Sequence, residues 1–246
     1  MHKVVSATVY AELQKGRKSD KGAQRAVAAF GDPYYPAREV LQQSATPAVR
    51  SLVQRFGLQP LPGSRDEVDR IATLFGDAAT RFVGTDASEE NAKALGRGAR
   101  YVHFACHGII DEQMPLNSGL ALSIDAEGKA RENGLLQAWE IFEHLRLDAD
   151  LVTLSACDTG LGRELAGEGL VGLTRAFQYA GARSVVASLW GVSDVSTAEL
   201  MKRFYENLKL GQPKDEAMRN AQLALLRGGS AHPFHWASFE VIGDWM

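Results

Sequence analysis

Two apolar stretches of the sequence each end at a side chain capable of nucleophilic or acid–base chemistry. One ends at His107, just before Gly108, and the other begins at Leu151 and ends at Cys157. Each stretch is typical of a fully buried strand, and the glycines nearby allow a sharp turn where the strand ends. Because ligands of open α/β sheets bind beyond the carboxyl ends of the strands, His107 and Cys157 are candidates for one site.

These residue types at strand ends predict an acyl-transfer site with a cysteine nucleophile. A cysteine attacks as its thiolate, and a neighbouring imidazole accepts the thiol proton. We expect His107 to take the proton from Cys157 and later to donate it to the leaving amine. The attacked carbonyl oxygen gains negative charge and needs fixed donors, for which the backbone N–H groups of Gly108 and Cys157 are candidates. Such a site needs no metal and no cofactor, and its order, His before Cys, differs from that of α/β-hydrolases.

The neighbouring residues allow other interpretations. A buried cysteine is most often an inert small hydrophobe, and a single histidine on a strand is usually a satisfied core group. The two-residue alternation of a strand places Cys106 opposite to His107, so we expect Cys106 to pack in the core and His103 to be structural. A zinc site formed by these residues and Cys157, or a disulfide between the two cysteines, lacks the paired Cys-x-x-Cys spacing that would support it.

The elements that must position the site alternate between strand and helix along the chain. This order predicts an α/β fold with a mainly parallel sheet covered on both faces. Among the elements, we expect a strand at residues 27–30, a helix over Pro47–Phe56 and a helix opened by a capping box of Ser64 and Glu67. We expect one domain over residues 1–246, with residues 1–25 forming a strand and connector that could follow a partner domain.

The composition is that of an ordinary soluble globular protein. The 246 residues are 45% hydrophobic and 23% charged. The net charge of −3 does not indicate the basic surface that binds nucleic acid. No apolar run is long enough to cross a bilayer, and the N-terminus lacks the hydrophobic core of a signal peptide. Two cysteines suit a reducing compartment. We therefore expect a cytoplasmic protein without membrane or direct nucleic-acid binding.

Several motifs together resemble the CHAT domain, a family of the caspase–separase superfamily of cysteine peptidases. They are FACHG at 104–108, LSACDTGLG at 154–162, GEG at 167–169, LTRAF at 173–177, AGARSVVASLW at 180–190 and HWASF at 235–239. The separation of 50 residues between His107 and Cys157 is close to the roughly 50 residues of caspases. The resemblance implies a caspase-like α/β/α sandwich, a catalytic dyad of His107 and Cys157, and an oxyanion hole from Gly108 and Cys157.

The resemblance also implies a preference for substrates with a basic residue before the cleaved bond. The stretch LWGVSD at 189–194 is similar to the separase segment whose aspartate contacts that residue. Asp194 becomes a candidate for the specificity pocket, Trp190 for its wall and Asp158 for a second carboxylate in it. Alternatively, Asp194 simply caps the helix that follows.

The family further implies a protein substrate and regulated activation. Its members often carry tetratricopeptide repeats, and some act in bacterial defence, so a regulatory partner of that repeat type is expected. We hypothesise that the glycine-rich segment 160–169 is an activation loop that becomes ordered when a partner or substrate docks, with a plain, closely packed loop as the alternative. The alternative function is a catalytically idle protease-fold interaction module in bacterial signalling or defence.

Overall fold

The structure, a computed structural model, describes residues 2–3, 25–155, 157–158, 168–191, 194–229 and 232–246, with the backbone alone described at 2, 3, 157, 158, 168 and 194. The strands are β1 His2–Lys3, β2 Arg25–Pro33, β3 Ala79–Gly84, β4 Ala99–Ala105, β5 His107–Ile109, β6 Gly119–Ala121, β7 Leu135–Gln137, β8 Leu151–Leu154, β9 Cys157–Asp158, β10 Ser184–Ser188 and β11 Phe239–Gly243. The helices are α1 Arg38–Gln43, α2 Pro47–Phe56, α3 Pro62–Phe75, α4 Glu89–Lys93, α5 Ala138–His144, α6 Glu168–Ala180, α7 Asp194–Lys209 and α8 Lys214–Arg227. Among these helices, none has the length and apolar composition needed to cross a membrane.

The central sheet has seven strands in the order β1–β11–β10–β8–β4–β2–β3. Every neighbouring pair is parallel except β10 and β11. The carboxyl ends of β2, β4, β8 and β10 therefore meet at one edge, where the antiparallel β11 begins, and we call this the carboxyl edge. The prediction of a mainly parallel sheet is confirmed. The predicted N-terminal connector falls largely on residues 4–24, which lie outside the described residues.

Strand β2 shows how the sheet obtains two buried faces. Val27 and Ala29 belong to one core cluster, with α3, α7 and α8, while Ala28 and Phe30 belong to the other, with α4, α5 and α6. Because successive side chains of a strand point to opposite faces, a continuous apolar run is buried on both. Burying a side chain such as that of Phe30 contributes about 1.5–3 kcal/mol. The helices thus cover both faces, as the predicted α/β/α sandwich requires.

A second sheet of four short strands, in the order β7–β6–β5–β9, lies beyond the carboxyl edge. The chain passes into it directly from the central sheet, with β4 ending at Ala105 and β5 beginning at His107. Between them, Cys106 is buried in the core, which is the packing role predicted for it. A third apolar cluster, formed largely by α1, α2 and the strands β5–β7, covers this sheet.

The start of α3 differs from the prediction of a capping box at Ser64 and Glu67. The helix begins at Pro62, with Leu61 as its N-cap residue and no side-chain cap. Proline suits the first position of a helix because its missing N–H has no helical partner there. Ser64 therefore lies inside the helix, where its hydroxyl donates to the carbonyl oxygen of Leu61, and Glu67 is buried.

Candidate active site

The two candidate catalytic residues occupy neighbouring positions of the second sheet. Strands β5 and β9 are parallel, with His107 paired to Cys157 and Gly108 to Asp158, and paired strands lie about 4.8 Å apart. The same register holds in the central sheet, where Phe104 of β4 pairs with Leu154 of β8. The separation of His107 and Cys157 in the sequence is therefore the offset at which the two adjacent strands pair. The side chain of Cys157 lies outside the described residues, so its catalytic role stays a prediction.

The imidazole of His107 is held by a backbone carbonyl that sequence analysis did not identify. His107 is 8% exposed, and its Nε2 lies 2.8 Å from the carbonyl oxygen of Gln59 and 3.3 Å from the Gln59 backbone nitrogen. We assign the proton to Nε2, donating to the carbonyl at the shorter distance, which makes Nδ1 the acceptor nitrogen of the ring. No side-chain pattern reveals such a partner, because any residue type supplies a carbonyl.

Tyr35 packs beside the same imidazole. Its ring centroid is 5.3 Å from that of His107, and its hydroxyl donates to the carbonyl oxygen of Ala121 at 2.7 Å. Burial raises the pKa of the Tyr35 hydroxyl well above its usual value, and the neighbouring Cys106 adds to this effect. The hydroxyl therefore stays protonated, and Tyr35 forms a neutral, fixed wall on one side of His107. Sequence analysis left Tyr35 unassigned.

The other predicted site residues are only partly placed. Gly108 lies between β6 and β9, paired with Leu120 and Asp158, and its role in an oxyanion hole stays a prediction. Trp190 follows β10 at the carboxyl edge, and its indole N–H donates to the carbonyl oxygen of Phe234 at 3.3 Å. Asp194 is the first residue of α7. The side chains of Asp158 and Asp194 lie outside the described residues, so neither a pocket role nor helix capping is tested.

The hypothesised activation loop also lies mostly outside the described residues, which omit 159–167. Its last residue, Gly169, belongs to α6 and is buried. A Cβ at this position would come within 2.5 Å of the Ile110 side chain and 2.9 Å of the Ser118 hydroxyl. Gly169 is therefore required for close packing at the start of α6.

His103 lies deep in the core rather than at the site. Its Nε2 is 2.8 Å from a carboxylate oxygen of Glu67, and its Nδ1 is 3.2 Å from the hydroxyl of Tyr205, which lies 3.0 Å from the hydroxyl of Thr153. All four side chains are buried. The structural role predicted for His103 agrees with this network, which joins α3, β4, α7 and β8.

A cluster of three carboxylates surrounds one ammonium group near the second sheet. The Nζ of Lys93 lies 2.7–2.8 Å from oxygens of Glu89, Glu132 and Glu140. Glu89 also accepts the N–H of Gly134 at 2.9 Å. Burial raises the pKa of Glu89 to about 8 despite the opposing effect of Lys93. Among the side chains that the structure describes, these carboxylates are the one group close enough to share a metal ion, and the Lys93 ammonium already supplies their cation.

Comparison with protein families and curated proteins gives three matches. The sequence model of the CHAT domain family matches residues 1–244. Tetratricopeptide repeat protein 28 of Mus musculus is 27% identical over 229 residues, covering 79% of this chain and 9% of that protein. Its Homo sapiens counterpart is 24% identical over 265 residues, covering 94% of this chain and 10% of that protein. The chain spans about a tenth of the length of the curated relatives it matches.

Among the solved structures with similar architectures, two illustrate the fold. The Saccharomyces cerevisiae separase in its complex with securin aligns with a TM-score of 0.50 at 11% identity, covering 96% of this chain and 13% of that chain. The Arg-specific cysteine proteinase gingipain R aligns with a TM-score of 0.52 at 11% identity, covering 92% of this chain and 48% of that chain. Both are caspase-like folds, and the predicted caspase-like sandwich is confirmed.

Proposed function

The chain belongs to the CHAT domain family, and on that basis we propose that it is a hydrolase, a cysteine endopeptidase that cleaves a specific protein partner. The observation that carries the proposal is the pairing of His107 with Cys157 in adjacent parallel strands. The fold, shared with separase and gingipain R, is one that supports peptidase chemistry. We propose these two residues as the catalytic dyad.

The proposed reaction follows from the orientation of the imidazole. With its Nε2–H bonded to Gln59, His107 takes the thiol proton of Cys157 at Nδ1, and the thiolate attacks the substrate carbonyl. Backbone N–H groups of Gly108 and Cys157 stabilise the oxyanion. His107 then donates its proton to the leaving amine, and a water deprotonated by His107 hydrolyses the acyl-enzyme. No metal or cofactor takes part in these steps.

We propose a basic residue before the cleaved bond. A carboxylate at Asp194, with Asp158 as a second candidate, would pair with the substrate guanidinium or ammonium, and Trp190 would form the pocket wall. One structural neighbour is named an Arg-specific cysteine proteinase, which supports this preference.

The proposed setting is a cytoplasmic defence or signalling system with regulated activation. The curated relatives are tetratricopeptide repeat proteins about ten times as long as this chain, and separase was solved with a partner, securin. These relatives support a regulatory protein of the tetratricopeptide-repeat type. The content of two cysteines in 246 residues suits the reducing conditions of a cytoplasm.

An active-site electrophile tests the proposal. We expect a peptidyl chloromethyl ketone with a terminal arginine to alkylate the protein once, with loss of chloride, so that its mass rises by that of the inhibitor less HCl, and Cys157→Ala and His107→Ala to abolish the addition. Cys106→Ala removes the other, buried thiol and should leave labelling intact. Absence of labelling, with and without a repeat-protein partner, would contradict the endopeptidase and favour the idle interaction module.

A further inference from the structure

The hydrogen bond between His107 and Gln59 leaves one motion of the imidazole weakly restrained. The ring turns about its Cβ–Cγ bond, and this torsion has broad minima in histidine. Nε2, which lies 2.8 Å from the Gln59 carbonyl oxygen, is closer to the axis of that bond than Nδ1 is. A turn of the ring therefore moves Nδ1, the proposed acceptor of the thiol proton, further than it moves Nε2. Fixing the plane of the ring takes a second contact.

Tyr35 makes this second contact. Its ring centroid lies 5.3 Å from that of His107, and the two ring planes differ by 37°, a separation typical of packed aromatic pairs. Because the planes are closer to parallel than to perpendicular, a turn of the imidazole about Cβ–Cγ brings one of its edges towards the tyrosine ring. Tyr35 and His107 are 4% and 8% exposed, so neither ring can swing freely into solvent.

The Tyr35 ring is itself fixed on the strand beside His107. Its hydroxyl donates to the carbonyl oxygen of Ala121 at 2.7 Å, and Ala121 is the residue of β6 that pairs with His107. The backbone N–H of the preceding residue, Tyr34, donates to the hydroxyl of Ser123 at 2.9 Å, two residues beyond Ala121. The ring therefore keeps its place relative to the backbone of His107.

We propose that Tyr35 is a positioning residue that holds the plane of the His107 imidazole, so that Nδ1 is placed to accept the thiol proton. The proposal rests on the proposed endopeptidase function and adds to its site a residue that acts through the catalytic base. Gln59 determines which ring nitrogen carries the proton, and Tyr35 determines where the other nitrogen lies. The phenol itself transfers no proton, because its hydroxyl is buried and bonded to Ala121.

Substitutions at Tyr35 in the full chain test this role with an arginyl coumarin amide as substrate. In Tyr35→Leu we expect kcat, expressed per folded molecule, to fall about three- to tenfold, which corresponds to the loss of one aromatic contact. KM should stay within about twofold, because a buried ring acts on the base rather than on the substrate. Tyr35→Phe keeps the ring and should keep kcat within about twofold of the wild type; a Phe variant as slow as the Leu variant would contradict the role of the ring. Tyr35→Met gives the same comparison if Tyr35→Leu does not fold.

Alkylation of Cys157 by iodoacetamide provides a readout that does not depend on cleavage. All proteins carry Cys106→Ala, so that one thiol remains, and the rate at about pH 7 reports how readily that thiol loses its proton. Tyr35→Leu should slow alkylation about three- to tenfold when His107 is present and have no further effect in His107→Ala. An equal factor in both backgrounds would show that Tyr35 acts on the fold rather than through His107.

Tyr101→Leu is the matched control. Tyr101 is also a buried tyrosine, 5% exposed, and lies in β4, the strand that leads to His107. Its ring packs against those of Phe75 and Tyr205. This variant should lose stability, but its kcat and alkylation rate per folded molecule should match those of the wild type.

The two assays separate failure of this role from failure of the proposed function. If the amide is cleaved and Tyr35→Leu keeps the wild-type kcat, the positioning role is refuted and the peptidase stands. If the wild type cleaves no substrate, the proposed function fails, and the alkylation rates decide on Tyr35. An effect that requires His107 then supports the positioning role, and an effect independent of His107 refutes it.

Discussion

Replacing Lys93 by methionine should be among the most destabilising single changes in the described part of the chain. The substitution keeps an unbranched side chain but removes the ammonium from between Glu89, Glu132 and Glu140. The Glu89 side chain is fully buried and that of Glu140 is 6% exposed. Removing one partner of a buried ion pair leaves an uncompensated charge and costs about 3–5 kcal/mol. For a domain of this size, that corresponds to a decrease in Tm of about 6–20 °C.

Urea unfolding followed by circular dichroism at pH 8.5 and pH 5 provides the measurement. At pH 8.5, above the wild-type pKa of about 8, Glu89 is ionised beside Lys93, which lowers that pKa. Without Lys93 the variant must either keep Glu89 charged without its cation or bind a proton at this pH, so the cost should be largest. At pH 5 carboxyl groups deprived of Lys93 take up protons more readily, so the cost should shrink. Adding Glu89→Gln to Lys93→Met should recover part of the lost stability, because it removes the buried charge.

Lys202→Met serves as the control for losing a lysine. Lys202 is 39% exposed and lies 3.8 Å from Glu206 on the same helix, a kind of pair that contributes less than about 1 kcal/mol. An equal loss of stability in the two variants, or a Lys93→Met cost that does not change between the two pH values, would refute the electrostatic explanation.

Three further predictions concern a proton, a glycine and a pocket. Because the folded-state pKa of Glu89 is raised from 4.5 to about 8, its contribution to stability is present below pH 4.5 and lost as the pH rises through 8. Urea unfolding measured across this pH range should show the decline in the wild type and a flatter profile in Glu89→Gln. A steeper decline in the variant would contradict the raised pKa. Gly181→Ala should lower the free energy of unfolding by about 2–6 kcal/mol, since Gly181 has φ +115° and a Cβ there would lie 2.1 Å from the Leu147 carbonyl oxygen. The control, Gly211→Ala, has φ +82° with open space around it and so carries the backbone strain alone. Equal denaturation midpoints for the two variants would refute the steric argument. Asp194→Ala should lower kcat/KM for arginyl substrates at least about tenfold, while the loss of a helix cap should lower the free energy of unfolding by about 1 kcal/mol. Asp194→Asn retains the capping group but not the charge. Normal turnover of arginyl substrates by that variant would show that Asp194 caps the helix and does not bind substrate.

The sequence was informative where elements are long or bounded by strong local signals. Helix α2 matches its predicted bounds, because Pro47 occupies its first turn and Gly57, with φ +59°, follows its end. Strands β2, β4, β8 and β10 are apolar runs buried on both faces, so their pattern was visible. The same local reasoning failed at Ser64, because Pro62 had already started the helix.

The features that sequence reasoning missed depend on contacts between distant residues. The second sheet consists of two- and three-residue strands, too short for any periodicity to be detected. The Gln59 carbonyl and the ring of Tyr35 reach His107 across 48 and 72 residues of sequence, and neither position carries a catalytic residue type. The Lys93 cluster joins glutamates 39 and 47 residues away, which only the fold brings together.

The geometry of the proposed dyad follows from sheet register rather than from loop conformation. Phe104 and Leu154 are paired in the central sheet, and His107 and Cys157 are paired three residues further along both strands. The two strands leave one sheet and enter the next together, linked on the way by the bond from the Ser155 N–H to the Phe104 carbonyl oxygen at 2.8 Å. Backbone hydrogen bonds of both sheets therefore fix the two positions relative to each other.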